Sequence, residues 1–303
     1  MNRNFIDLWD ITPEEGWKIL EDALRIKAGW DKEKYLLGKN IALFFTKPST
    51  RTRVSFEVAI KGLGGNTLFL QEQDLQIARG EDLKDTARTL SRYLDGIIIR
   101  TESHKRLEEF ASYSSIPVIN ALTELSHPCQ VLSDVFTLYE VFGEDIKSIK
   151  IAYVGDGNNV CNTWLVAAGL FGLQLFVSTP EGYEPSSYYY QAGQDLCKIT
   201  GGSIYITTNP IDAVRSAHVV YTDVWVSMNQ NRSEEKLQAL KPYQVNRELL
   251  SHARPDVKVM HCLPAKKGEE ITEDVFEEHA DFIFTQAENR LHAQKALLKF
   301  LYS

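Results

Sequence analysis

The feature that most limits how this chain can fold is an alternation. Apolar runs of strand length take turns with segments of helical spacing. In a first series the runs cover residues 41–46, 67–70, 96–100 and 117–121, with helical patterns between them at 50–63 and 83–94. A second series begins at Lys150, with runs at 151–155, 173–178, 203–207, 219–224, 257–263 and 282–284 and a helical pattern at 160–171. Near-continuous apolar strands are buried on both faces, which requires parallel sheets covered by helices. The expectation is an α/β protein of two doubly wound parallel-sheet domains joined by interdomain helices. Thr12-Pro13-Glu14-Glu15 reads as a capping box with proline at the first helical position, opening a helix that runs to about Gly29. Residues 127–142 read as a helix joining the two series. The last helical pattern, 287–301, has no later strand to serve and is free to cross back onto the first domain. The boundaries follow: a first domain over 1–135 with helix 287–303 packed back on it, and a second over 136–286.

Length agrees, since 303 residues suit two domains of roughly 150. The net charge of -8 argues against a general nucleic-acid binder but leaves room for a local arginine cluster that binds an anion. No apolar run is long enough to span a bilayer, and residues 1–12 lack the pattern of a signal peptide. The four cysteines, Cys129, Cys161, Cys197 and Cys262, show no paired metal-type spacing and read as reduced thiols. A cytoplasmic protein is expected, with no nucleic-acid or membrane partner.

In open α/β sheets, ligands bind beyond the carboxyl ends of the strands. The unusual polar clusters of this sequence follow expected strands. The most informative is Ser49-Thr50-Arg51-Thr52-Arg53, between the first strand and a helix. Free N–H groups at a helix start favour an anion, the hydroxyls add donors, and Arg51 adds a planar fork for two oxygens. Arg53 either faces the same site or pairs with a carboxylate. The segment lacks the glycine-rich phosphate-loop pattern of nucleotide enzymes.

Ser49-Thr50-Arg51-Thr52-Arg53 resembles the carbamoyl-phosphate motif of the aspartate and ornithine carbamoyltransferase family. His127-Pro128-Cys129-Gln130 resembles that family's His-Pro-x-Gln motif, and Arg100, after an isoleucine run, matches the arginine that joins them. The resemblance covers essentially the whole chain. It implies that Ser49, Thr50, Arg51 and Thr52 hold the phosphate. Arg100 and His127 reach the carbamoyl oxygen, Gln130 holds the carbamoyl amide, and Arg290 completes the site. It also implies a homotrimer, or a multiple of trimers, with Gln76 on a loop reaching a neighbour's site.

The second half bears on the acceptor. Asp223 with Ser227-Met228, and His261-Cys262-Leu263-Pro264, resemble motifs of the ornithine branch, as does Asp156-Gly157-Asn158-Asn159. Asn159, Asp223, Ser227, Met228, Cys262 and Leu263 are thereby implied in binding L-ornithine. Asp223, and Cys262 as a thiolate, are suited to a second ammonium and poorly suited to the side chain of aspartate. Asn229 stands where the branch has glycine. The implied activity is carbamoyl transfer from carbamoyl phosphate to the side-chain amine of L-ornithine, with no metal and no organic cofactor. Arg51, Arg100, His127 and Cys262 would be catalytic. Putrescine, N-acetylornithine or aspartate as acceptor, or a binding protein without catalysis, are the alternatives.

Overall fold

The computed structural model describes residues 3–226 and 232–303, and the chain divides into two compact units. The first comprises residues 1–136 and 289–303, the second 137–288. The divisions fall inside two helices, Pro128–Phe142 and Ala280–Tyr302.

The first unit carries strands β1 (Asn40–Phe45), β2 (Asn66–Gln71), β3 (Gly96–Arg100) and β4 (Val118–Leu122). They form one parallel sheet in the order β2-β1-β3-β4. Its helices are α1 (Pro13–Lys27), α2 (Thr50–Gly62), α3 (Leu83–Leu90), α4 (His104–Tyr113) and the first part of α5 (Pro128–Phe142). The Thr12 box is formed, with Thr12 Oγ1 accepting from Glu15 N–H and the Glu15 carboxylate accepting from Thr12 N–H. On one side of the sheet, Phe44, Ile97, Ile99 and Val118 pack with Leu107 and Phe110 of α4.

The second unit carries β5 (Lys150–Val154), β6 (Gln174–Ser178), β7 (Ser203–Thr207), β8 (Val219–Thr222) and β9 (Lys258–His261). They too are parallel, in the order β7-β6-β5-β8-β9. Its helices are α6 (Asn159–Phe171), α7 (Ser187–Thr200), α8 (Pro210–Val214), α9 (Glu234–Leu240), α10 (Arg247–Leu250) and α11 (Glu273–Glu278), with the start of α12 (Ala280–Tyr302). Every residue of α6 is buried, as its apolar sequence requires.

The run at 282–284, expected as a strand, is helical and lies in the first turn of α12. Only Ile283 is buried, while Phe284 is 56% exposed. Burial then recurs at Gln286, Asn289, Arg290, Ala293 and Leu297, a helical period that outweighs three apolar residues in a row. The strands expected at 219–224 and 257–263 stop at Thr222 and His261, so Asp223, Cys262 and Leu263 stand just past the strand ends.

In each sheet the first strand is flanked by the next strand on one side and a later one on the other. Such a switch point opens a crevice beyond the carboxyl ends. In the second unit the packing that holds α6 against α7 depends on two glycines. A Cβ on Gly193 would lie 2.4 Å from Leu165 O, and one on Gly169 would lie 2.4 Å from Gly193 O. Gly193→Ala should therefore push the helices apart and cost about 1–3 kcal/mol in urea unfolding. Unchanged stability would show that the helices separate freely.

Candidate active site

In the first unit the register of the sheet builds an anion site. Phe45 of β1 pairs with Arg100 of β3, and Thr46 N–H donates to Arg100 O at 3.0 Å. Arg100 is thereby set beside the turn from β1 into α2. Its Nη1 donates to Ser49 Oγ at 3.2 Å and lies 3.5 Å from Thr52 Oγ1. Arg290 of α12 donates from Nη2 to the same Thr52 Oγ1 at 2.7 Å. Two guanidiniums, 6% and 3% exposed, thus converge on one hydroxyl in the first turn of a helix. Ser49 occupies the N-cap position without making a side-chain cap. Buried positive charge at a helix N-terminus suits an anion that can pair with it.

His127 precedes α5, and its carbonyl accepts the N–H groups of Gln130 and Val131. Burial, then the charges of Arg290 and Arg100, hold its imidazole well below the usual histidine range. The ring is therefore neutral near pH 7 and can donate one N–H to a carbonyl oxygen. Gln130, buried in the first turn of α5, is oriented by its amide donating to Asp134 Oδ1 at 2.8 Å. Arg53 takes the structural option. Its guanidinium stacks 3.6 Å from the Phe69 ring centroid and pairs with Glu57 at 2.9 Å. Thr50 and Arg51 are exposed on α2, and Gln76 is exposed on the turn Gln76–Arg79.

The second unit builds a different site by the same logic. Thr222 of β8 pairs with His261 of β9, so the next residues, Asp223 and Cys262, leave the sheet side by side. Cys262 Sγ lies 2.9 Å from Asp223 Oδ1. At that distance the Cys262 sulfur can donate a hydrogen bond to the Asp223 carboxyl group. On the other side of β8, the turn after β5 brings Asn158 to Asp223, with Nδ2 donating to Oδ2 at 2.7 Å. Asn158 also caps α6, its Oδ1 accepting from Val160 and Cys161 N–H. Sequence reasoning quoted Asn158 without giving it a role. Its signal was the N-cap position after a buried strand. Asn159 is buried at the head of α6.

The two acids of this site are treated differently. Asp156 is matched by Lys236 of α9 in a buried pair at 2.7 Å. Asp223 has no cationic partner among the described residues, although it is 6% exposed. A buried carboxyl group with only neutral donors is suited to a cationic partner. Asp223, His261 and Cys262 also offer three metal-binding atoms within 4.8 Å of one another. However, His261 Nδ1 accepts Leu263 N–H at 2.9 Å and Nε2 faces Glu270 at 2.9 Å, so its lone pair is committed. Ser227, Met228 and Asn229 lie outside the described residues.

One parallel α/β unit gathers buried arginines at a helix N-terminus, and the other holds a buried acid among neutral donors, features suited to a transferase of charged substrates. The chain belongs to the aspartate/ornithine carbamoyltransferase family. That family's carbamoyl-P binding domain matches residues 3–140 and its Asp/Orn binding domain matches residues 147–301. An ornithine carbamoyltransferase of Aquifex aeolicus is 63% identical over 303 residues, covering 100% of this chain and 98% of that protein. The solved ornithine carbamoyltransferase of Pyrococcus furiosus aligns with a TM-score of 0.92 at 48% identity, over 98% of this chain and 96% of that one. The anabolic ornithine carbamoyltransferase of Campylobacter jejuni aligns with a TM-score of 0.94 at 41% identity, over 99% and 98%. Among the described residues no helix is long and apolar enough to cross a membrane.

The depressed His127 has a consequence for stability. As pH falls below the unfolded value of about 6.5, the unfolded chain takes up a proton that buried His127 refuses. Stability should fall on acidification until the folded-state pKa is reached, and should not change above the unfolded value. His127→Gln should lose less stability than wild type between pH 7 and pH 5 in denaturant titrations. Identical slopes would mean that His127 takes up its proton in the fold.

Proposed function

We propose that the chain transfers the carbamoyl group of carbamoyl phosphate to the side-chain amine of L-ornithine, giving L-citrulline and phosphate. The observation that carries the choice of acceptor is Asp223, a buried carboxyl group held by Asn158 and Cys262 and matched by no cation among the described residues. It suits an acceptor bearing a second ammonium and repels the side-chain carboxylate of aspartate. The relatives named as ornithine carbamoyltransferases support the same acceptor.

In this reading Ser49, Thr50, Arg51 and Thr52 hold the phosphate with the N-terminus of α2. Arg100, Arg290 and the neutral imidazole of His127 face the carbamoyl group, and Gln130 holds its amide. The neutral δ-amine attacks the carbonyl carbon, and negative charge develops on the carbonyl oxygen. Arg100 and His127 stabilise that charge as preorganised donors. The carbon–oxygen bond to phosphate then breaks, and Arg51 and the helix end receive the phosphate charge. The attacking amine gives up a proton to solvent. Catalysis is positioning and charge stabilisation, and the reaction needs no redox or carbanion chemistry. Asn159, Asp223, Ser227, Met228, Cys262 and Leu263 bind the amino acid. Gln76 reaches a neighbouring subunit's carbamoyl phosphate.

The assembly is a homotrimer or a multiple of trimers. An apolar outer face on the first unit supports association: Val54 and Val58, one turn apart on α2, are 51% and 47% exposed, and Leu68 on edge strand β2 is 42% exposed. A cytoplasmic location is supported by the four free cysteines.

The test is an acceptor panel. With carbamoyl phosphate supplied, kcat/KM should be highest for L-ornithine, by at least a hundredfold over putrescine, N-acetylornithine and aspartate. A better rate with any of these three would overturn the acceptor assignment. No citrulline from ornithine would overturn the activity itself.

A further inference from the structure

A chain of hydrogen bonds runs from Leu263 through His261 to Glu270. His261 ends β9 and is buried, with its backbone N–H donating to Gln286 Oε1 at 2.9 Å. Its Nδ1 accepts Leu263 N–H at 2.9 Å, so the ring carries its proton on Nε2. Nε2 donates to Glu270 Oε1 at 2.9 Å, and that oxygen also accepts Lys266 N–H at 2.6 Å. Glu270 is fully buried, and its own carbonyl accepts Val245 N–H at 2.8 Å.

Two features show that this arrangement serves more than packing. Leu263 has φ +61°, the left-handed region that a leucine occupies only when its surroundings hold it there. The hydrogen bond to His261 is such a hold. Glu270 Oε2, among the described residues, has no hydrogen-bond partner, a cost that an apolar residue at the same place would avoid.

We propose that Glu270 is a positioning residue for the acceptor. It fixes the tautomer and orientation of His261, which holds Leu263 in its left-handed turn and so sets the intervening Cys262 thiol against Asp223. The inference rests on the acceptor reading given above.

Three variants test it. Glu270→Asp keeps the carboxyl group but withdraws it by one methylene. Glu270→Gln keeps the reach and an oxygen that can accept both hydrogen bonds. His261→Asn can still accept Leu263 N–H but cannot reach Glu270. For the Asp and Asn variants, KM for ornithine should rise at least tenfold, with carbamoyl-phosphate affinity within twofold of wild type. Alkylation of Cys262 by iodoacetamide should change at least threefold in rate. Glu270→Gln should stay within threefold of wild type in ornithine KM. A folded Asp or Asn variant with unchanged ornithine KM would overturn the proposal. So would a parallel loss of affinity for both substrates, which marks general destabilisation. If Glu270→Asp does not fold, His261→Asn decides by the same criteria, and if neither folds the role is structural and the proposal fails. The wild-type enzyme is assayed alongside. Poor use of ornithine by wild type would sink the acceptor reading, whereas good use with unresponsive variants would sink only the role of Glu270.

Discussion

Parallel pairing in register places the functional groups in both units. Where Phe45 faces Arg100 across β1 and β3, a guanidinium meets the turn into α2. Where Thr222 faces His261 across β8 and β9, a carboxylate and a thiol leave the sheet together. Because parallel strands all point one way, their carboxyl ends collect the loops, and residues far apart in sequence become neighbours there. A slip of one residue would turn each of these side chains to the opposite face. The apolar strand residues that fix the register, such as Ile97–Ile99 and Val219–Tyr221, are buried.

The two units then use burial in opposite electrical senses. In the first, two guanidiniums converge on Thr52, and burial, with the charges of those guanidiniums added, keeps His127 neutral. In the second, Lys236 pairs with Asp156, while Asp223 meets only neutral donors among the described residues. In the proposed function, an anionic donor and a cationic acceptor would each be met by the charge they lack. The desolvation already present in the fold makes each of those encounters stronger than it would be in water.

Much of this was legible in the sequence, and the parts that were not share a cause. Alternating apolar runs marked the nine strands found among the described residues, and local motifs marked Ser49–Arg53, His127–Gln130, Asp223 and Cys262. The run at 282–284 misled because three adjacent apolar residues fit a strand and a helix equally until the period beyond them is counted. Arg53 was ambiguous because its partners, Phe69 and Glu57, are identified only by the packing of α2 on β2. Asn158 was quoted and given no role because Asp223 lies 65 residues away in the chain. Glu270 was missed because its signal is the conformation of Leu263, which a sequence does not display.

In the proposed site for carbamoyl phosphate, Thr52 Oγ1 ties together two buried guanidiniums, those of Arg100 and Arg290. The most direct measurement is calorimetric titration of carbamoyl phosphate into wild type and Thr52→Val, in which valine keeps the shape of threonine and removes the shared acceptor. Affinity should fall at least tenfold, about 1.4 kcal/mol or more, in a variant whose far-ultraviolet circular dichroism is unchanged. Wild-type affinity in a folded Thr52→Val protein would contradict the account.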